Sequence, residues 1–331
     1  TFPLAKSSGL AHTFATGADK RAVILITSLT AGIAALGMVL LAPVYWPSYL
    51  QLTHLMGVFR LACFMGMAAI AQTIVIISGG IDLSIPYTIS FSYILAAHYM
   101  NSLDGNIPQA MAACLILAVI VGSVNGAGVC LMKIPAFIMT LGVGTVVRGA
   151  YMIWTKGTPK GYTAPLIRTI SNSSLGPVPC IVIVWFVLGA IAVVMLRYTP
   201  YGRKIHAVGS SATVAQFSGI NTKAVLFSVY ILSAAIACIT GFFLIGYTGE
   251  SYLDAGLAYD TAVIAAVIIG GTSINGGKGG YLGSAAGSLI MIVFTDFLQI
   301  VRMSEGLRQV GQGILILLLV MLYARGRRVR V

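Results

Sequence analysis

The chain has 331 residues, of which 58% are hydrophobic and only 8% are charged, and its mean hydropathy is +0.95. Soluble proteins carry about 25% charged residues, so this composition excludes a soluble protein and indicates a polytopic membrane protein. The net charge of +12 does not indicate nucleic-acid binding, because the basic residues lie in short gaps between apolar runs and not together on one solvated face.

The apolar runs predict an all-α protein with about ten transmembrane helices, since about 20 apolar residues cross the hydrocarbon core. We expect a cytoplasmic N-terminal tail at 1–21, a single transmembrane domain at 22–324 and a cytoplasmic basic tail at 325–331. The predicted segments are 22–42, 58–78, 85–100, 108–131, 135–154, 180–196, 224–246, 260–275, 280–300 and 310–324.

The basic residues predict how the chain is oriented. If ten segments cross the membrane, thirteen of the 20 Lys and Arg residues fall on one side and five on the other, while Arg60 and Arg148 lie inside segments. Loops rich in Lys and Arg stay in the cytoplasm, so we expect both termini there. The first apolar run is longer than the apolar region of a signal peptide, which predicts a retained N-terminus.

The residues around Asp82 predict a tight turn between the second and third segments. Gly79 and Gly80 suit the end of one helix, while Ser84 and Pro86 suit the N-cap and first turn of the next. An acid inside a long apolar region is costly unless it caps, pairs or functions. Two interpretations stay open: Asp82 holds backbone N–H groups in a structural turn, or it belongs to a broken helix that lines a path.

The longest internal loop, residues 198–223, contains a possible helix of one to two turns. Ser210 or Ser211 would cap this helix and Gly219 would end it. One face of the helix is apolar and carries Val214, Phe217 and Ile220. Because this face stands outside the membrane, we expect it to bury either in a groove of a cytoplasmic partner or on the protein's own helix ends.

The glycine-rich stretch at 270–280 looks superficially like a phosphate-binding loop. Thr272 and Gly279 stand where a Walker A loop needs a glycine and a hydroxyl residue, and no strand is predicted before it. We therefore interpret the stretch as a flexible turn between helices, with Gly276 and Gly277 as turn residues.

Two predicted loops on the opposite side are long, 155–179 and 247–259. The first is rich in glycine and proline and has no helical period. These loops either present a docking face to an extracytoplasmic partner or are merely long connections. Late in the ninth segment, Asp296 and Gln299 form another polar pair, which lines a pore or bonds a neighbouring helix.

Catalytic and metal-binding patterns are missing from the sequence. There is no GxSxG, HExxH or CxxC, and the four histidines and five cysteines lie far apart. We expect buried cysteine thiols, a non-catalytic chain and no metal site.

Several stretches, taken together, point to one family. They are GGIDLS at 79–84, KIPAFIMTLG at 133–142 with RG at 148–149, PYGR at 200–203, SGIN at 218–221, and IAAVIIGGTS at 264–273 with GGKG at 276–279. In this order, over about residues 50–322, the set resembles the membrane permease subunits of bacterial ABC importers for monosaccharides, the ribose/xylose/galactose permease family.

The resemblance implies a type II importer permease in the inner membrane, working as two copies or as one copy with a related permease. It implies cytoplasmic ABC ATPase subunits that bind ATP and Mg, a periplasmic solute-binding protein, and no cofactor on this chain. It also implies that residues 199–221 are the coupling element that sits in the ATPase.

From these arguments we expect two sets of functional residues. The ATPase-coupling residues are Arg203, Ser211, Phe217, Gly219 and Ile220. The translocation path, chosen as polar or aromatic residues in apolar helices, contains Gln72, Asp82, Ser84, Asn125, Phe137 and Thr140.

Two alternatives stay open. One is a secondary transporter or channel driven by an ion gradient, for which Asp296 is the candidate coupling carboxylate. The other is the same ABC class with autoinducer-2, a polyol or a nucleoside as the solute.

Overall fold

The computed structural model describes Leu29 and residues 31–325, and almost all of this part of the chain is helical. The predicted tail at 1–21, the start of the first segment and residues 326–331 of the basic tail lie outside the described residues. The five cysteines are free thiols, four of them buried, as the sequence predicts.

Thirteen α-helices follow one another along the described residues. They are α1 (Ala31–Tyr45), α2 (Leu52–Ile77), α3 (Ile85–Met100), α4 (Ile107–Cys130), α5 (Ala136–Thr155), α6 (Pro165–Asn172), α7 (Ile181–Tyr198), α8 (Pro200–Ser210), α9 (Ala212–Phe217), α10 (Thr222–Thr248), α11 (Asp260–Ile269), α12 (Tyr281–Ile300) and α13 (Glu305–Arg325). Short 3₁₀ turns at Asp104–Asn106 and Leu257–Tyr259 precede α4 and α11, and a hairpin of β1 (Ser174–Leu175) and β2 (Val178–Pro179) joins α6 to α7.

Six helices in the described part of the chain are long and apolar enough to cross a membrane: α2, α4, α5, α7, α10 and α12. The apolar helices α1 and α11 are shorter, and α3 has only 16 residues. The protein is therefore a multi-pass helical membrane protein, but helix length does not confirm the predicted count of about ten crossings.

Two predictions about where secondary structure lies are wrong. The eighth segment was expected to continue to residue 275, but α11 ends at Ile269 and residues 270–280 form no helix. The helix ends there because Gly271 takes a left-handed conformation (φ +83°), and the N–H groups of Gly271 and Thr272 bond the carbonyls of Ile268 and Val267, as in a Schellman helix end. The loop at 155–179, expected to lack helix, contains α6 and the β1–β2 hairpin.

Helices α2 and α10 form the centre of the bundle. In their most apolar stretches 89% and 72% of the residues are buried inside the protein, against 22–33% for the other four long helices. Helix α10 packs on α3 and α4, while α2 packs on α12, α10 and α7. Their buried residues include small and polar side chains, such as Gly66 and Thr73 on α2 and Ser233 and Gly241 on α10, which suit the interior of a bundle in lipid.

Glycines let the packed helices approach closely. A Cβ on Gly122 of α4 would lie 2.5 Å from the Cα of Ile231 in α10, and a Cβ on Gly287 of α12 would overlap the carbonyl oxygen of Ala266 in α11. In lipid, such close approach supplies the dispersion contacts that hold helices together.

The loops collect at two ends of the bundle. At one end, which we call the turn end, are residues 78–84, 199–221 and 270–280, joined by the bond from Gly277 N–H to the Ile77 carbonyl (2.8 Å). At the other, the loop end, are residues 101–106, 157–179 and 248–251, which are joined by backbone bonds from Thr163 to Gly249 (3.0 Å) and from Ser102 to Tyr162 (3.3 Å). Residues 252–259 run from there back into the bundle along α3, where the Gly256 N–H bonds the Ser90 hydroxyl (2.9 Å) and a Cβ on Gly256 would overlap the Pro86 carbonyl oxygen.

Changing Gly287 to Ala should destabilise the bundle, because the new methyl group meets backbone that cannot rotate away. We expect a loss of about 1–3 kcal/mol, the usual cost of overpacking. Thermal unfolding in detergent micelles measures it. The matched control is Gly142→Ala on α5, where a Cβ meets nothing within 4 Å. Equal midpoints for the two variants would contradict the packing described here.

Candidate functional site

A buried carboxylate organises the turn between α2 and α3. One Asp82 oxygen accepts hydrogen bonds from the backbone N–H (2.9 Å) and the hydroxyl (2.6 Å) of Ser84, and the other accepts from the Ser233 hydroxyl on α10 (2.9 Å). The Asn125 amide on α4 donates to the Ser84 hydroxyl (2.8 Å). All four residues are buried, so this turn ties α3 to α4 and α10.

Thr140 adds helix α5 to the same network. Its hydroxyl accepts the backbone N–H of Leu83 (3.0 Å) and lies within donating distance of the carbonyls of Ile81 (3.1 Å) and Ala136 (2.9 Å). We call Asp82, Ser84, Asn125, Thr140 and Ser233 the Asp82 cluster. It joins the turn to three helices through side chains with little or no solvent exposure.

The local structure of the turn differs from the prediction in one respect. Ser84 stands at the N-cap of α3, but its side chain makes no capping bond and donates to Asp82 instead. Asp82 binds the backbone N–H of Ser84, which is the structural role that one of the two interpretations expects. All three donors to Asp82 are neutral groups, and the path-lining role of these residues stays a prediction.

The other two predicted path residues lie outside this cluster. Gln72 is 1% exposed on α2, and its Nε2 has no hydrogen-bond partner in the described part of the chain. Phe137, near the start of α5, is 52% exposed on the surface of the bundle. The structure therefore brings together four of the six predicted residues.

The predicted helix in the long internal loop is α9. The Ser211 side chain caps it by accepting the backbone N–H of Val214 (3.3 Å), and Gly219 follows it with a φ of +80°, a left-handed conformation suited to a helix end. Phe217 is 88% exposed and Val214 63%, whereas Ile220 is half-buried against the core. The apolar face of α9 is thus open and is narrower than predicted.

The sequence does not predict the helix before it, α8. Pro200 stands in its first turn, and the Thr199 hydroxyl caps it by accepting the backbone N–H of Gly202 (3.1 Å). The Tyr201 hydroxyl bonds the Ser228 hydroxyl on α10 (2.7 Å), and burial raises the pKa of Tyr201. Arg203, the other predicted coupling residue, is exposed on α8.

Helix α8 contacts both neighbouring turns. A Cβ on Gly209 would overlap the Ile77 carbonyl oxygen at the end of α2, and His206 Nδ1 lies 3.2 Å from the Gly277 carbonyl. Gly277 in turn donates its N–H to Ile77. Because Gly209 packs directly on this backbone, a shift of α8 toward α2 would push on the end of α2 and on the 270–280 turn.

The predicted turn residues have the backbone conformations that turns need. Gly79, Gly276 and Gly277 have φ values of +93°, +76° and +71°, which favour glycine. Gly80 instead avoids a clash, because a Cβ there would lie 2.6 Å from the Tyr230 hydroxyl. Sequence reasoning missed Ser233 and Gly209, since a single serine or glycine in a helix carries no pattern.

Comparison with known proteins agrees on one family. The family described as "Branched-chain amino acid transport system / permease component" matches residues 54–321. The chain is 29% identical to a ribose import permease protein of Haemophilus influenzae, over 83% of this chain and 86% of that one, and 32% identical to that of Bacillus subtilis, over 86% and 89%. It is 30% identical to a fructose import permease protein of Rhizobium meliloti, over 72% and 68%. No solved structure matches the chain significantly.

Changing Asp82 to Ala should destabilise the protein strongly, because it leaves a backbone N–H and two hydroxyls of the cluster without their acceptor. We expect a loss of at least about 2 kcal/mol in thermal unfolding, whereas Asp82→Asn keeps an acceptor and loses less. The matched control is Asp104→Ala, which removes an acid that accepts one exposed backbone N–H, that of Leu166. If the two alanine variants unfold alike, the cluster does not hold the turn.

Proposed function

The chain belongs to the family of membrane permease subunits of bacterial ABC importers for monosaccharides, and on that premise we propose that it carries a monosaccharide-like solute across the inner membrane. In this proposal the turn end faces the cytoplasm, as the basic loops predict, and the loop end faces the periplasm. The chain itself is non-catalytic, and partner ATPase subunits bind ATP and Mg.

The observation that carries the proposal is the arrangement of α8 and α9 at the turn end. Phe217 belongs to the capped helix α9, which lies outside the apolar bundle, and 88% of this apolar residue is exposed. A groove on a cytoplasmic ATPase subunit would bury this side chain, and exposed Arg203 on α8 lies nearby in the chain. Ser211 and Gly219 hold α9 in shape by capping its two ends.

The same arrangement provides a route from the ATPase to the transmembrane helices. Closure of the ATPase dimer would displace α9 and α8, and Gly209 would pass the displacement to Ile77 and Gly277. Ile77 is the last residue of α2, directly before the turn that holds Asp82. The shift would thus reach α3, α4, α5 and α10 through the Asp82 cluster, as a population shift between two helix arrangements.

Two further partners belong to the proposal. A second copy of the chain, or a related permease, would complete the translocation path, and α5 offers an exposed surface that includes Phe137. A periplasmic solute-binding protein would deliver the solute at the loop end, onto the segments 157–179 and 248–251.

The solute class rests on the relatives and on the charge of the buried path candidates. The matched relatives are named for ribose and fructose import. Among the path candidates Asp82 alone is ionisable, and it is bound by three neutral donors, which suits a neutral polyhydroxylated solute better than an ion.

Reconstitution in proteoliposomes tests the function. With ATPase subunits, binding protein and ATP inside the vesicles, we expect uptake of radiolabelled ribose or fructose. Omitting ATP or the ATPase subunit should abolish it. Uptake that continues without either would support the ion-gradient alternative, for which Asp296 is the candidate carboxylate, and would refute the ABC mechanism.

Changing Phe217 to Asp should uncouple transport, because a carboxylate cannot enter an apolar groove without a large desolvation cost. We expect the rate of ATP-driven uptake to fall at least tenfold, which corresponds to about 1.4 kcal/mol of coupling free energy. The midpoint of thermal unfolding should stay that of the wild type. The matched control is Gln216→Asp, which places the same charge on the neighbouring exposed residue of α9. Full uptake by the Phe217 variant would show that α9 is not the coupling element.

A further inference from the structure

A cavity of about 430 Å³ opens at the loop end, where the connection from α1 to α2 meets the end of α12. It is separate from the Asp82 cluster and from the α8–α9 segment, which lie at the other end of the bundle. Its wall contains Tyr45, Trp46, His54, Asp296, Gln299 and Arg302.

The position of the cavity follows from the antiparallel packing of α2 and α12. The Thr73 hydroxyl, late in α2, bonds Ser284 early in α12 (2.7 Å), while His54 at the start of α2 meets Asp296 near the end of α12. Arg60, one and a half turns after His54, donates to the Asn172 carbonyl (2.9 Å) in the 157–179 segment. The cavity therefore shares its end of the bundle with the long loops.

One wall of the cavity is a set of preoriented polar groups. His54 Nε2 lies 3.2 Å from an Asp296 carboxylate oxygen, with side chains only 18% and 16% exposed. Buried Tyr49 lies behind the pair, with its ring centroid 4.8 Å from that of His54. Burial, together with the Asp296 charge, raises the pKa of Tyr49 to about 12, so its hydroxyl stays protonated. Asp296 is thus paired with His54, which is itself packed against Tyr49.

The other wall is aromatic. The Trp46 ring packs edge-on against His54, with centroids 4.7 Å apart, and Tyr45 packs edge-on against Phe297 (6.3 Å). Trp46 and Tyr45 remain 42% and 60% exposed. A membrane-interface belt accounts for exposed aromatic rings, but it does not account for a fixed carboxylate, an imidazole and the Gln299 amide facing the same space.

We propose that this cavity is a binding site for a neutral polyhydroxylated solute of monosaccharide size. The aromatic faces match the C–H faces of a sugar ring, while the carboxylate accepts and the amide and guanidinium donate hydrogen bonds to hydroxyl groups. A cavity with apolar walls and a few converging polar groups is the usual form of a small-molecule site. The proposal rests on the proposed function for one point, that this solute is the cargo on its way into the permease.

Fluorescence of the full chain in phosphatidylcholine nanodiscs tests the site. Titration with D-ribose or D-fructose should change the tryptophan emission with a saturable dependence on sugar concentration. Trp46→Phe should abolish the change, since Trp154 and Trp185 do not line the cavity. No saturable change with either sugar would overturn the proposal. A response to phosphatidylglycerol in place of sugar would also overturn it and assign the cavity to a lipid headgroup.

Two variants identify the polar contacts. Asp296→Asn should weaken sugar binding about tenfold, because a charge-assisted acceptor becomes a neutral amide. Gln299→Ala, at an exposed position that leaves the His54–Asp296 pair intact, should weaken it several-fold. The matched control is Asp104→Asn, the same change at the loop end outside the cavity, and it should bind as the wild type does. Unchanged affinity in both cavity variants would refute the assignment.

These results remain separable from the proposed function. Sugar-dependent emission without ATP-driven uptake would support the cavity site and refute the transport proposal. ATP-driven uptake with no emission change would refute the cavity site alone.

Discussion

Lipid offers no hydrogen bonds, so each polar group that the bundle buries needs a partner inside the protein. The turn between α2 and α3 meets this constraint at a demanding place, because residues 78–84 leave the helix while Asp82 and Ser84 are buried. Asp82 solves the problem by accepting a backbone N–H and two hydroxyls, one of them from α10. Thr140 and Asn125 complete the network from α5 and α4.

The hydrogen bonds of the Asp82 cluster also link the turn to its neighbouring helices. A turn held only by its own backbone would move independently of its neighbours, whereas this one shares side-chain bonds with three helices. At its other side the turn touches α8, because Gly209 packs directly on the carbonyl oxygen of Ile77. The exposed α9 and the buried cluster are therefore the two ends of one continuous chain of contacts.

The two ends of the bundle differ in chemistry. At the turn end, glycines pack directly on backbone beside the hydrogen-bonded Asp82 cluster. The contacts of the loop end, and of the segment that enters the bundle from it, are charged and aromatic. Arg148 bonds Asp254 (2.7 Å), Tyr151 bonds the same carboxylate, and His54 bonds Asp296 (3.2 Å).

Both arginines that the sequence places inside apolar segments have polar partners within the protein. Arg60 donates to the Asn172 carbonyl and Arg148 pairs with Asp254, so neither guanidinium faces hydrocarbon alone. A long side chain lets each charge reach such a partner, which is why both arginines are compatible with a membrane-spanning bundle.

The sequence alone determined the features that depend on neighbouring residues: the membrane class, the turn at 78–84, and helix α9 with its Ser211 cap and Gly219 end. Only the tertiary structure decided the features that depend on distant ones. Ser233 joins Asp82 from 151 positions away, and α8 has to fit against the end of α2. The choice of polar residues in apolar helices selected four of the five cluster residues but not their contacts, because hydropathy and spacing record which residues are apolar and do not record which helix faces which.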